Sequence, residues 1–163
     1  MDRAAHAVEQ WRRERPDLDP MSMLLLGRLQ ETALVIARDR LTPLFARYGL
    51  QPGEFDVLAT LRRSGRPYAL TPTALYDAAM ISSGSMTNRI DRLQQAGWVE
   101  RRPNPADGRG TLVGLTDEGY ALIEAAVGAH VDNQRAVLSP LSEGEQAQLA
   151  ALLDKLLQGQ TRA

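Results

Sequence analysis

No cysteine occurs in the 163 residues, which excludes disulfides, thiolate metal sites and thiol-based redox sensing. Histidine is almost as scarce: only His6 and His130 are present, far apart in the chain. No His/Cys/carboxylate cluster has ligand spacing, so neither a metal nor a cofactor is expected. A Gly-rich phosphate loop and a nucleophile motif are also missing, and the SSGS segment at Ser82 reads as a helix start, so an enzyme is not expected. Long apolar runs are absent too. Met23 to Leu26 is broken by Gly27 and Arg28, well short of a bilayer span, so no membrane partner is expected. The first twenty residues lack the apolar core of a signal peptide, and a cytoplasmic protein is the expectation.

What is present is an ordinary globular composition, 44% hydrophobic and 24% charged, with 5% aromatics. The length suits one compact domain with a real core. A net charge of −1 hides a polarity along the chain. Residues 41–110 carry nine Arg against six acids, and residues 111–163 carry three basic residues against seven acids. That asymmetry suggests a basic working surface, although chance clustering gives the same picture. Eighteen of the nineteen basic residues are Arg, the type suited to bidentate contacts with phosphate and base edges, or simply the product of GC-rich codons.

Helical periods dominate. After Pro20, apolar residues recur through one long predicted helix to about Gly49. Pro52 sits at the start of the next, EFDVLATLRRSG, and Thr71-Pro72 opens a short third helix. Ser82 or Ser83 caps a helix that Gly97 ends. Trp98 to Arg102 and Thr111 to Leu115 are strand candidates around the turn-rich PNPADGRG, and together predict a β-hairpin. Thr116 caps a long helix to about Leu138. Ser142 to Glu145 is a capping box opening a last helix, with Leu149, Leu152, Leu153 and Leu156 on one face.

On the helix from Ser83, Met86, Ile90 and Leu93 form an inward stripe, leaving Ser85, Asn88, Arg92 and Gln95 on the far side. Those residue types hydrogen-bond base edges and phosphates. Ser83, Ser85, Thr87, Asn88 and Arg92 are the candidate DNA-reading set, on the second helix of a helix–turn–helix. The bland alternative is a solvated helix face. A basic hairpin directly after the helix argues against it. Arg101 and Arg102 precede the tip and Arg109 follows it, and Asp107 is placed to orient the Arg109 guanidinium through a charge-assisted pair. As an exposed turn ion pair alone, that contact is worth less than ~1 kcal/mol.

Asp107-Gly-Arg109 followed by Leu115-Thr-Asp-Glu-Gly119 resembles the wing signature of the MarR (multiple antibiotic resistance regulator) family. Asn88 to Leu93 and Ala96 to Arg101 resemble its recognition helix and first wing strand. The resemblance covers nearly the whole chain. It implies a mainly α protein with a small β-hairpin wing, a winged helix–turn–helix that dimerises through its N- and C-terminal helices and binds a pseudo-palindromic DNA operator. The division would then be residues 1–49 for dimerisation and a ligand pocket, 50–115 for the DNA-binding lobe, and 116–163 for dimerisation. One departure is the Gly108/Gly110 pair, which predicts a more flexible wing tip. The Leu24-Leu25-Leu26 run and the Leu149 to Leu157 stripe independently call for a partner, expected to be a second copy.

The family changes its DNA affinity when a small aromatic or anionic ligand binds. Trp11, Asp56, Ser64 and Arg89, with their flanking segments, resemble the urate-responsive, PecS-like branch. Trp offers a stacking face, Arg pairs an anion, Ser donates, and Asp supplies a charge that an anion disturbs. Each has a structural alternative: Trp11 as a helix anchor, Asp56 as a favourable helix-start charge, Ser64 as a helix-end residue, Arg89 as a phosphate contact. Arg89 flanks the inward stripe, where it could reach a ligand while its helix stays in the groove. The expected function is a ligand-responsive regulator, a repressor released by an anionic aromatic such as urate. The alternatives are a winged-helix protein-interaction module, or a regulator answering a different phenolic ligand.

Overall fold

The computed structural model describes residues 2–51, 53–79 and 86–161, without the side chains of Gly108, Arg109 and Thr161. Among the described residues, eight α-helices and three strands follow one another. Helix α1 (Arg3–Glu14) starts where the Asp2 carboxylate accepts from the Ala5 amide at 3.0 Å. Helix α2 (Pro20–Ile36) starts on an Asp19 cap with proline in its first turn. The two helices cross closely, since a Cβ on Gly27 would lie 2.9 Å from that of Ala4. Arg28 pairs with Asp2 at 2.6 Å across the same junction.

The single long helix expected up to Gly49 is interrupted. Residues Ala37–Leu41 form a π turn before α3 (Thr42–Ala46). Pro43 explains it: proline has no N–H to donate to residue 39, and its ring crowds that carbonyl, so the ladder shifts by one residue. The break turns Leu44 and Phe45 into the core.

That core is centred on α4 (Glu54–Arg63), whose Val57, Leu58 and Leu61 are fully buried. Strand β1 (Ala69–Leu70) and helix α5 (Pro72–Ala78) follow, the helix capped by the Thr71 hydroxyl. Helix α6 (Met86–Gln95) presents Ile90 and Leu93 to α4, with Met86 partly covered, so the expected inward stripe is the one found. A bond from the Trp98 amide to the Leu93 carbonyl closes α6 around Gly97.

Strands β2 (Val99–Asn104) and β3 (Asp107–Leu115) form the hairpin, and β1 pairs with β3 to give the antiparallel order β1-β3-β2. The register runs from Val99 opposite Leu115 to Asn104 opposite Asp107, with an irregularity at Pro103/Asn104. The ladder extends further into PNPADGRG than composition suggests, because β2 is an edge strand and an edge tolerates Pro103. Helix α7 (Asp117–Leu138) packs on α4 through Ile123 and Ala126. Arg62 locks that pair, lying 5.1 Å from the Tyr68 ring centroid and 4.9 Å from that of Tyr120, with Glu124 at 2.6 Å. Helix α8 (Glu143–Thr161) begins on the expected Ser142/Glu145 capping box. Its apolar side chains are all exposed, Leu152 at 66% and Leu149, Leu153 and Leu156 near 40%. Among the described residues, no helix is long and apolar enough to cross a membrane.

Candidate nucleic-acid interface and effector pocket

Helix α6 is held in two places. Its inner face enters the core, and its C-terminal end is tied to the start of α7. The Thr116 hydroxyl donates to the Gly97 carbonyl at 2.7 Å and accepts from the Gly119 amide at 3.0 Å. A Cβ on Gly119 would overlap the Trp98 carbonyl, which explains the glycine that closes the LTDEG segment. On the face away from the core Thr87 and Asn88 are exposed. Ser83 and Ser85 lie outside the described residues.

The arginines are arranged less uniformly than their spacing suggests. Arg92 is exposed, but its guanidinium leans on the turn before α4, bonding the Gln51 side chain and lying 3.3 Å from Glu54. Arg101 on β2 reaches back to α6, bonding Asp91 at 2.6 Å and the Gln94 side chain. Arg102 pairs with Glu100 at 2.5 Å and donates to the Leu115 carbonyl at 3.1 Å. Arg101 and Arg102 therefore sit at the base of the wing, joining it to α6 and to its own second strand. The tip belongs to Asn104 and Asp107, and the Arg109 side chain falls outside the described part. As a unit, α6 and the hairpin are braced into one rigid body with polar and basic groups on the outside.

Of the four candidate effector residues, Asp56 and Arg89 are neighbours. Asp56 is half-buried on α4, and burial pushes its carboxyl up from the ordinary aspartate value against the opposing charges of His130, Arg63 and Arg89. Arg89 curls over Gly53, where a Cβ would lie 2.6 Å from its Nε. Its Nη1 is buried without a hydrogen-bond partner among the described residues, as are His130 Nδ1 and Thr60 Oγ1. Phe45 and Phe55 stack at 4.6 Å, and the His130 ring lies 4.7 Å from Phe55. Burial lowers the His130 pKa, and the Asp56 carboxylate partly restores it.

Ser64 closes the other end of α4, about 12 Å along the axis from Asp56, with its hydroxyl on the Leu61 carbonyl at 2.7 Å. Trp11 is on α1, which packs along α2, and the side chain is 47% exposed. No described contact joins either residue to Asp56. His130, Thr60 and the Phe45/Phe55 stack were not among the candidates. The signal for His130 was available in its spacing: Ile123, Ala126 and His130 fall on one stripe of α7, which turns the imidazole inward.

A MarR family model matches residues 48–110, the stretch from the turn before α4 to the wing tip. The chain is 50% identical over 149 residues to the HTH-type transcriptional regulator PecS of Dickeya dadantii, covering 91% of this chain and 89% of that one. The multiple antibiotic resistance protein MarR of Escherichia coli K12 is 38% identical over 107 residues, covering 64% and 71% of the two chains. Among solved structures, a MarR family regulator from Streptomyces coelicolor in complex with DNA superposes with a TM-score of 0.77 at 28% identity, over 87% of this chain and 89% of that one. A cysteine-to-serine mutant of Escherichia coli MarR with operator DNA gives 0.72 at 31% identity, over 90% and 97%. With half its residues shared with PecS across nearly the whole length, and a braced recognition helix and wing of the same architecture, this chain belongs to the MarR family of transcriptional regulators.

Proposed function

We propose that the chain is a repressor that binds a pseudo-palindromic operator as a homodimer and is released by a small anionic aromatic ligand of the urate type. Thr87, Asn88 and Arg92 read the major groove together with Ser83 and Ser85. Arg101, Arg102 and Arg109, the last oriented by Asp107, place the wing on the backbone. Residues 1–49 and 116–163 supply the dimer contacts and 50–115 the DNA lobe. Two-fold symmetry then sets the recognition helices about one turn of DNA apart, roughly 34–36 Å. The relatives solved with DNA support the first half of this reading.

The observation that carries the ligand half is the buried Nη1 of Arg89, near Asp56 and without a hydrogen-bond partner among the described residues. A buried donor without a partner costs about 1–3 kcal/mol, and an anion that accepts from it recovers that cost. Because Arg89 belongs to α6, a ligand that draws on it biases the recognition helix, by as much as its affinity differs between the two helix positions. Trp11 and Ser64 remain ligand candidates on the resemblance alone, apart from the Asp56/Arg89 pair.

The test is a fluorescence titration of the protein on the tightest duplex recovered from a random pool, with urate or salicylate added. Urate should release the duplex at lower concentration than salicylate, and Arg89→Ala should abolish that release. A protein indifferent to purines, or an Arg89→Ala variant that still releases fully, sinks the ligand assignment and leaves the regulator.

A further inference from the structure

Glu54 is a buried acid with an unusual assignment of partners. Its side chain is 4% exposed, and burying a carboxylate is costly unless each oxygen is matched. One oxygen accepts from the Gln51 amide at 2.6 Å, closing the turn that starts α4. The other faces Arg92 Nε at 3.3 Å. The Gln51 side-chain oxygen accepts from Arg92 Nη1. Between these two acceptors, Gly53 adopts φ 84° and gives up the space a Cβ would take to the Arg89 guanidinium. Two arginines one turn apart on α6 thus rest on the single turn that leads into α4. Arg92 remains 48% exposed, and its Nη2 has no protein partner among the described residues.

We propose that Glu54, with Gln51, is a positioning residue for DNA recognition: it anchors the inner edge of the Arg92 guanidinium so that the outer edge meets DNA already oriented. This rests on the reading of Arg92 as a DNA contact. An arginine free in solvent loses several rotamers on binding, and a pre-anchored one has lost them already. The site also carries a sign that separates positioning from simple electrostatics. Removing an acid near a DNA-binding face should tighten DNA binding if charge alone matters. It should also tighten binding if Glu54 withholds Arg92 from DNA. A positioning role makes the loss of a negative charge weaken the complex, and makes that weakening depend on Arg92.

The experiment is a double-mutant cycle on the tightest duplex selected from a random pool, using Glu54→Gln, Arg92→Ala and the pair, with Gln51→Ala as an exposed variant that leaves the core intact. Glu54→Gln should weaken binding roughly three- to tenfold, and Gln51→Ala should act in the same direction. In the Arg92→Ala background the Glu54→Gln effect should vanish. If Arg92→Ala binds like the unmodified protein, the DNA-contact reading fails and takes the proposal with it. If Arg92→Ala weakens binding while Glu54→Gln and Gln51→Ala leave it unchanged or tighter, only the positioning role is overturned. Equal weakening by Glu54→Gln in both backgrounds marks a general loss of structure, and also overturns it.

Discussion

His130 shows how one side chain can tie stability to pH in this fold. Burial against Phe45 and Phe55 pushes its imidazole below the usual value of 6.5. The unfolded chain therefore takes up a proton first as pH falls, and the folded state loses stability from about 6.5 downward to the depressed folded value. Above that window His130 contributes nothing that depends on pH. Asp56 acts with the opposite sign, because its folded value is raised, so the fair comparison keeps it in place. His130→Phe preserves a ring in the stack and removes the proton. Its urea midpoint should fall less between pH 7 and pH 5.5 than that of the unmodified protein, and parallel curves would place the imidazole in solvent. Asn88, Arg92 and Asp56 became candidates because a motif or a short spacing marked them, and the fold places Asn88 and Arg92 exposed on α6 and Asp56 half-buried on α4. Partners that only the fold supplies, such as Thr60 on α4 and Glu54 beneath Arg92, leave no local pattern.

At the scale of elements, capping chemistry was the dependable guide. Thr71, Thr116 and the Ser142/Glu145 box each cap the helix that the sequence assigned them. These signals are local, involving a side chain and an amide three residues on, and tertiary context does not displace them. Two features escaped. The π turn at 37–41 depends on a single proline inside an otherwise continuous apolar period. Strand β1 has two residues and exists only because β3 offers its edge. Thr116 does more than cap, since its hydroxyl also bonds Gly97 at the end of α6. Thr116→Ala should cost about 1–2 kcal/mol in chemical denaturation, while Thr71→Ala, which removes a cap alone, should fall at or below the lower end. Equal costs would mean that the Gly97 contact adds nothing.

For the molecule as a whole, the question is what holds α8 in helical form. It has 19 residues, its apolar side chains are exposed, and the core lies elsewhere. Helices in proteins owe most of their stability to packing of an apolar face rather than to propensity, so burial of the Leu149/Leu152/Leu153/Leu156 stripe against another surface is the expected source of its order. Exposed Leu25, Leu26 and Leu29 on α2 offer one of matching character, and a second copy supplies both stripes at once. Replacing Leu152 and Leu156 by glutamine keeps helix propensity while removing the apolar contact. The unmodified protein should sediment as a dimer and the double variant as a monomer of 17.9 kDa. Helical circular dichroism should fall by an amount equivalent to the 19 residues of α8. The winged lobe has its own core and should keep its unfolding transition, but duplex affinity should collapse because two half-sites are no longer engaged together. A variant that stays dimeric with undiminished helicity would move the interface off α8, and one that loses the lobe transition as well would make the terminal helices part of the lobe's own stability.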